Sequence, residues 1–190
     1  MEINKLLKKV EVKIDLTTGL MTGKSIVLQK RTIADLKNVF ADEKSRLTMP
    51  QNQLAYEVQL YLPVLDGTEG GLYFGNTTIY PCKVGNEYMM TKGHFHAKGD
   101  RNEYYLCIKG IGYLLLMNEK RECWMEKMTQ GSLHFIGANL AHRVINAGIE
   151  PLTFLASWPA DAGHDYNTIQ QNGFSVRLVE VNGQPSVVEV

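Results

Sequence analysis

Apolar and polar residues alternate along most of this chain, and the alternation breaks into short segments. Val10 to Leu16 alternates strictly, which suits a half-buried strand, and Thr17-Thr18-Gly19 closes it. Ile26 to Gln29 predicts a second short strand. The spacing then changes. Leu36, Val39 and Phe40 form one apolar stripe at helical spacing behind Thr32, a suitable N-cap, so a helix is predicted from Thr32 to about Asp42. It is the only helix the pattern supports.

From residue 54 onward the pattern predicts strands alone: Leu54–Val64, Thr77–Pro81, Tyr88–His96, Asn102–Ile108, Gly112–Met117, Cys123–Lys127, Leu133–Ile136, His142–Asn146, Leu152–Trp158, Phe174–Val181 and Ser186–Val190. Turn residues separate them, and Asn182-Gly183 between two Val-rich runs is a strong hairpin signal. Many short strands at this spacing indicate an all-β sandwich or barrel, and periodicity alone does not choose between the two.

Composition narrows the class. A chain of 190 residues can bury one sizeable core, and no linker, low-complexity tract or repeat divides it. Lys plus Arg (20) balance Asp plus Glu (20), which disfavours binding nucleic acid through overall charge. The N-terminus has scattered charges and no apolar secretory core, and no apolar run approaches the ~18 residues of a membrane span. Cys82, Cys107 and Cys123 are an odd set without CxxC spacing, so free thiols in a reducing cytoplasm are expected.

The candidate chemistry lies among the five histidines, all between His94 and His164. His94 and His96 are two apart, so in a strand both rings point to one face and Phe95 to the other. The stretch from Ala97 to Arg101 can reverse the chain and bring Glu103 back as a cross-strand neighbour. His142 opens a later strand and is the better third imidazole; His134 suits a structural role, or one supporting a ligand from behind. An HxH pair alone is more often packing than ligand. A glutamate and a third histidine shift the balance, because buried histidine and glutamate are costly without partners. Three imidazoles and a carboxylate suit Fe(II), Mn(II), Zn(II), Ni(II) or Co(II).

These residues also resemble a family. His94-x-His96, Glu103 and Gly110 resemble the first cupin motif, and Gly131, His142 and Asn146 the second. The gap to Glu103 is longer than usual, and Gly137-Ala138-Asn139 stands where Pro-x-Gly is common. A narrower resemblance is to the cupin-type glucose-6-phosphate isomerases, best known from archaea. It is carried by Tyr56-Glu57-Val58, Thr78-x-Tyr80-Pro81-x-Lys83-Val84-Gly85, Thr91 to Lys98 with Asp100-Arg101 and Glu103, and Pro159 to Tyr166.

The resemblance implies a double-stranded β-helix (jelly-roll) barrel at 51–190 behind an N-terminal extension at 1–50. It implies metal ligands at His94, His96, Glu103 and His142, holding one divalent transition metal, iron first. Thr77, Thr91 and Gly93, with Lys92 nearby, would bind the substrate phosphate. Tyr56, Tyr105, Tyr166 and His164 would lie near the sugar, and Trp158 stands where the family carries tyrosine. Glu103 and His164 would move protons as glucose 6-phosphate and fructose 6-phosphate interconvert, through an enediolate or a direct hydride shift. A homodimer is implied too. The rival readings are a metal-dependent oxygenase on the same barrel and a sugar-phosphate-binding module without catalysis.

Overall fold

A computed structural model describes residues 6–190; the first five residues of the expected N-terminal extension lie outside the described residues. The first described elements are a small hairpin, β1 (Val12–Ile14) and β2 (Met21–Gly23). Then come β3 (Ile26–Thr32), β4 (Leu54–Tyr61), β5 (Leu72–Ile79), β6 (Lys83–Val84) and β7 (Glu87–Tyr88). The remaining strands are β8 (Glu103–Lys109), β9 (Gly112–Met117), β10 (Cys123–Met128), β11 (Leu133–Ile136), β12 (Ala141–Asn146), β13 (Leu152–Pro159), β14 (Val176–Val181) and β15 (Gln184–Glu189). Two short helices interrupt them, α1 (Glu43–Thr48) and α2 (Asn167–Asn172).

Pairing produces a six-stranded sheet in the order β11-β8-β13-β5-β4-β3 and a three-stranded sheet, β10-β9-β12. A four-stranded sheet, β15-β14-β7-β6, flanks them. Inward residues of the first sheet (Tyr56, Ile79, Tyr105, Phe154) and of the second (Leu114, Leu116, Val144) share one apolar core. The fold is all-β and of the cupin jelly-roll type. Among the described residues no helix is long and apolar enough to cross a membrane.

Several expectations need correction. Helix α2 (Asn167–Asn172) lies where strands alone are predicted, and β5 begins at Leu72 and ends at Ile79 rather than running from Thr77 to Pro81. The helix predicted at Thr32–Asp42 is absent. β3 runs on to Thr32, a single 3-10 turn covers Ala34–Leu36, and the segment continues in i to i−3 turns (Leu36 N to Ile33 O, Val39 N to Leu36 O). Thr32 does not cap; its own N–H and hydroxyl donate to Asp35. The left-handed Asn38 (φ +63°) stops propagation, yet Leu36, Val39 and Phe40 are buried all the same. Helix α1 starts later, where the Asp42 side chain accepts from the Ser45 N–H.

The strand predicted at Tyr88–His96 is only Glu87–Tyr88. Beyond it, single bridges tie Met90 to Ile145, His94 to His142 and Phe95 to Asp165. Gly93, at φ +76°, breaks the ladder between them. Glu103, finally, is no cross-strand neighbour of the histidine segment: β8 pairs with β11 and β13, and Glu103 stands opposite Ile136. Of the predicted turns, Asn182-Gly183 does close the β14–β15 hairpin, with both residues at positive φ.

Candidate active site

The inner face of the six-stranded sheet is one wall of a cavity of about 580 Å³. Strand parity decides which side chains form it. Tyr56, Val58 and Leu60 of β4, Tyr73, Gly75 and Thr77 of β5, and Phe154, Ala156 and Trp158 of β13 all line it. The register sets Leu60, Gly75, Ala156 and Tyr105 in one row across four strands. Its two central members have almost no side chain, so the row leaves room above it. Trp158 leans into part of that room: a Cβ on Gly75 would stand 3.1 Å from its ring.

At one end of this cavity His94, His96, Glu103 and His142 converge. One ligand atom from each lies within 4.8 Å of the others. The segments carrying them are remote in sequence, and the His94–His142 bridge aligns two of them, with ring centroids 4.3 Å apart. His96 Nδ1 lies 2.8 Å from the Arg101 carbonyl. A carbonyl can only accept, so Nδ1 carries the proton and Nε2 faces Glu103 Oε2 at 3.2 Å. His142 Nε2 is also 3.2 Å from that oxygen but makes no hydrogen bond, and His94 Nε2 is buried with no partner.

Buried ring nitrogens without partners are costly. Aimed at one point beside a carboxylate, they are what a divalent cation would satisfy. Bonds of about 2.1 Å to one ion separate ligand atoms by roughly 3 to 4 Å, close to the spread found here. The donor set of three imidazoles and one carboxylate therefore fits a transition metal.

Electrostatics agree with that use. Burial, reinforced by the neighbouring imidazoles, holds His94 well below the ordinary histidine range, so it is neutral, the form in which an imidazole could bind a metal. For Glu103 burial opposes charge, yet the His142 and His96 imidazoles facing it outweigh that, and its carboxyl is lowered. For His96 burial again opposes charge, but Glu103 and the Arg101 carbonyl raise its pKa. Burial also lowers His164, whose ring centroid is 4.5 Å from His94 and which stacks on Tyr166 at 8° between planes. Burial pushes Tyr56 up to about 12 and Tyr105 well above the usual phenol range, so both hydroxyls keep their protons.

The expected substrate residues share the cavity wall: Tyr56, Thr77, Thr91, Gly93, Tyr105, Trp158, His164 and Tyr166. The Thr91 hydroxyl accepts from the Val144 N–H, which leaves its proton free to donate. His96 stands behind the wall rather than on it. His134 is elsewhere, bridging Ser132 Oγ (2.8 Å) and Glu126 (2.6 Å) between β11 and β10, a structural tie.

Sequence reasoning missed two arrangements. Arg143, buried in β12 beside His142, reaches the cavity, and burial brings its guanidinium down to about 10. A charged residue directly beside the candidate ligand His142 in a predicted strand was the available signal. Asp161 receives Arg101 through two hydrogen bonds (3.0 and 2.7 Å) and Lys98 through one (2.9 Å). It thereby ties the segment bearing His164 to the turn between His96 and Glu103. Both partners lie in strings that carry the family resemblance, but nothing in their spacing discloses that they pair.

Comparison with known proteins places this geometry. The glucose-6-phosphate isomerase family matches residues 30–188. A glucose-6-phosphate isomerase of Pyrococcus abyssi is 42% identical over 180 residues, spanning 94% of this chain and 93% of its own. One from Sinorhizobium medicae is 35% identical over 182 residues, spanning 94% and 84%. A solved oxalate oxidase in complex with glycolate is more distant, at 11% identity and a TM-score of 0.46 over 78% of this chain and 58% of its own, and adds nothing about the site. With its cavity, its histidine–glutamate cluster and relatives of matching length, this chain belongs to the glucose-6-phosphate isomerase family.

Proposed function

We propose that the protein is a metal-dependent aldose–ketose isomerase that interconverts glucose 6-phosphate and fructose 6-phosphate. One observation carries the reading: the His94, His96, Glu103 and His142 cluster opens on a cavity that Thr77, Thr91 and Gly93 also line. A divalent metal on the four ligands, Fe(II) first with Mn(II), Zn(II), Ni(II) or Co(II) as alternatives, would supply Lewis acidity to the sugar oxygens.

The protein's own groups do the rest. The Thr77 and Thr91 hydroxyls and the Gly93 N–H bind the phosphate, which needs several donors. Glu103 is the carboxylate available to take the C2 proton and return it to C1. His164, neutral through burial, accepts and returns the hydroxyl proton during ring opening. The Tyr56, Tyr105 and Tyr166 hydroxyls, protonated at neutral pH, donate to sugar oxygens. Trp158 offers one donor and no acceptor.

Purified protein should convert fructose 6-phosphate to glucose 6-phosphate in a dehydrogenase-coupled assay. Chelator should abolish the rate and a divalent metal restore it. No turnover with any of the five metals would overturn the reading. A homodimer in the cytoplasm belongs to the same proposal, and sedimentation of the purified chain tests its dimeric part.

A further inference from the structure

Arg143 is buried, 6% exposed, against the cavity. One of its terminal nitrogens donates to the Lys92 carbonyl, and its guanidinium carbon lies 4.8 Å over the Phe174 ring. Its Nε is buried without a partner. That nitrogen would stand 3.1 Å from a Cβ on Gly93, and the Phe174 ring 2.8 Å, so only glycine leaves this approach open.

Charge around Arg143 is unbalanced. Among the described residues no carboxylate forms an ion pair with it. The nearby buried carboxylate, Glu87, is taken by Arg177 at 2.7 Å and accepts from the Ala41 N–H as well. Two guanidiniums thus stand near one carboxylate, and only Arg177 is paired with it. A buried charge lacking its counter-charge is destabilising unless a group of opposite sign completes it.

The peptide geometry says where that group would sit. In a trans peptide the carbonyl and the following N–H point in opposite directions. Anchoring the Lys92 oxygen on Arg143 therefore turns the Gly93 N–H away from the guanidinium. That N–H makes no backbone hydrogen bond among the described residues.

We propose that Arg143 is the positioning residue for a phosphate dianion, fixing the Lys92–Gly93 peptide and supplying the positive field beneath the Thr91 and Gly93 donors. The inference deepens the isomerase reading and rests on it for the identity of the phosphate.

The test uses metal-loaded protein, fructose 6-phosphate, and inorganic phosphate as the bare probe. Arg143→Met should raise KM roughly 10-fold or more and weaken phosphate binding by a similar factor, while kcat falls far less. Metal content should stay at the wild-type level. Arg143→Lys should recover part of the phosphate affinity, since it keeps the charge but not the planar fork. A merely structural role would lower kcat, metal content and melting temperature together and leave phosphate affinity per folded molecule alone.

Phosphate affinity unchanged in Arg143→Met would overturn the inference, as would a wild-type protein that binds no phosphate. Should neither variant fold, wild-type protein decides by NMR. The Nε resonance adjacent to the Phe174 ring should move on adding phosphate, and a fixed resonance refutes the role. A wild-type protein that binds phosphate through Arg143 but isomerises nothing would overturn the isomerase reading alone.

Discussion

At the scale of single residues, the site is a set of protonation states fixed by surroundings. His94 is held neutral by burial and His96 is oriented by one carbonyl, while Glu103 stays ionised because two imidazoles face it. The His142 ring completes the cluster, so His142→Ala should remove metal and activity together, with a rate loss of at least about 100-fold. Retention of both, by metal analysis and coupled assay, would show that the ligand assignment is wrong. Glu103→Gln separates binding from chemistry. If Glu103 moves the C2 proton, the variant should retain metal yet lose about 100- to 10,000-fold in kcat. These residues were legible because imidazole and carboxylate side chains seldom gather without a purpose. Arg143 was not, since a lone arginine in a strand has no spacing to read.

Individual elements show where pattern and structure part. Leu36, Val39 and Phe40 have helical spacing and are buried as a helical stripe would be, but successive tight turns deliver the same three side chains inward. Hydrophobic spacing reports which residues face the core, not which backbone hydrogen bonds bring them there. Likewise His94 and His96 do meet at one site, though through bridges around Gly93 rather than along a strand.

The tie through Asp161 belongs to this scale. Arg101 and Lys98 hold its carboxyl well below the usual carboxylate range. The stability this lends is complete above the unfolded carboxylate pKa near ~4 and lost as pH falls through the lowered folded value. Asp161→Asn should therefore lower the melting temperature at pH 7, with the difference from wild type shrinking toward acid pH. Because Arg101 also presents the carbonyl that orients His96, metal affinity should fall about 10-fold. A variant matching wild type in both, by calorimetry and metal titration, would refute the clamp.

Across the whole molecule, charge balance and sheet architecture set what the cavity accepts. A chain with formal charge zero cannot draw a sugar phosphate by its overall field, so attraction falls to local donors and buried cations. The all-β class and most strand positions follow from period-two alternation. How remote segments meet does not: the row of Leu60, Gly75, Ala156 and Tyr105 exists only once four strands take their register.

That arrangement also makes the protein its own optical probe. Of its two tryptophans, Trp158 lines the cavity at 9% exposure, while Trp124 stands on β10 at 40%. The first indole emits from an apolar wall and the second from a wet surface, so the spectrum is a sum of a blue and a red component. A sugar phosphate filling the cavity should alter the blue part and leave the red part as it was. Titrating fructose 6-phosphate into the wild type and into Trp158→Phe separates the two; an identical response in both would mean that the ligand settles elsewhere.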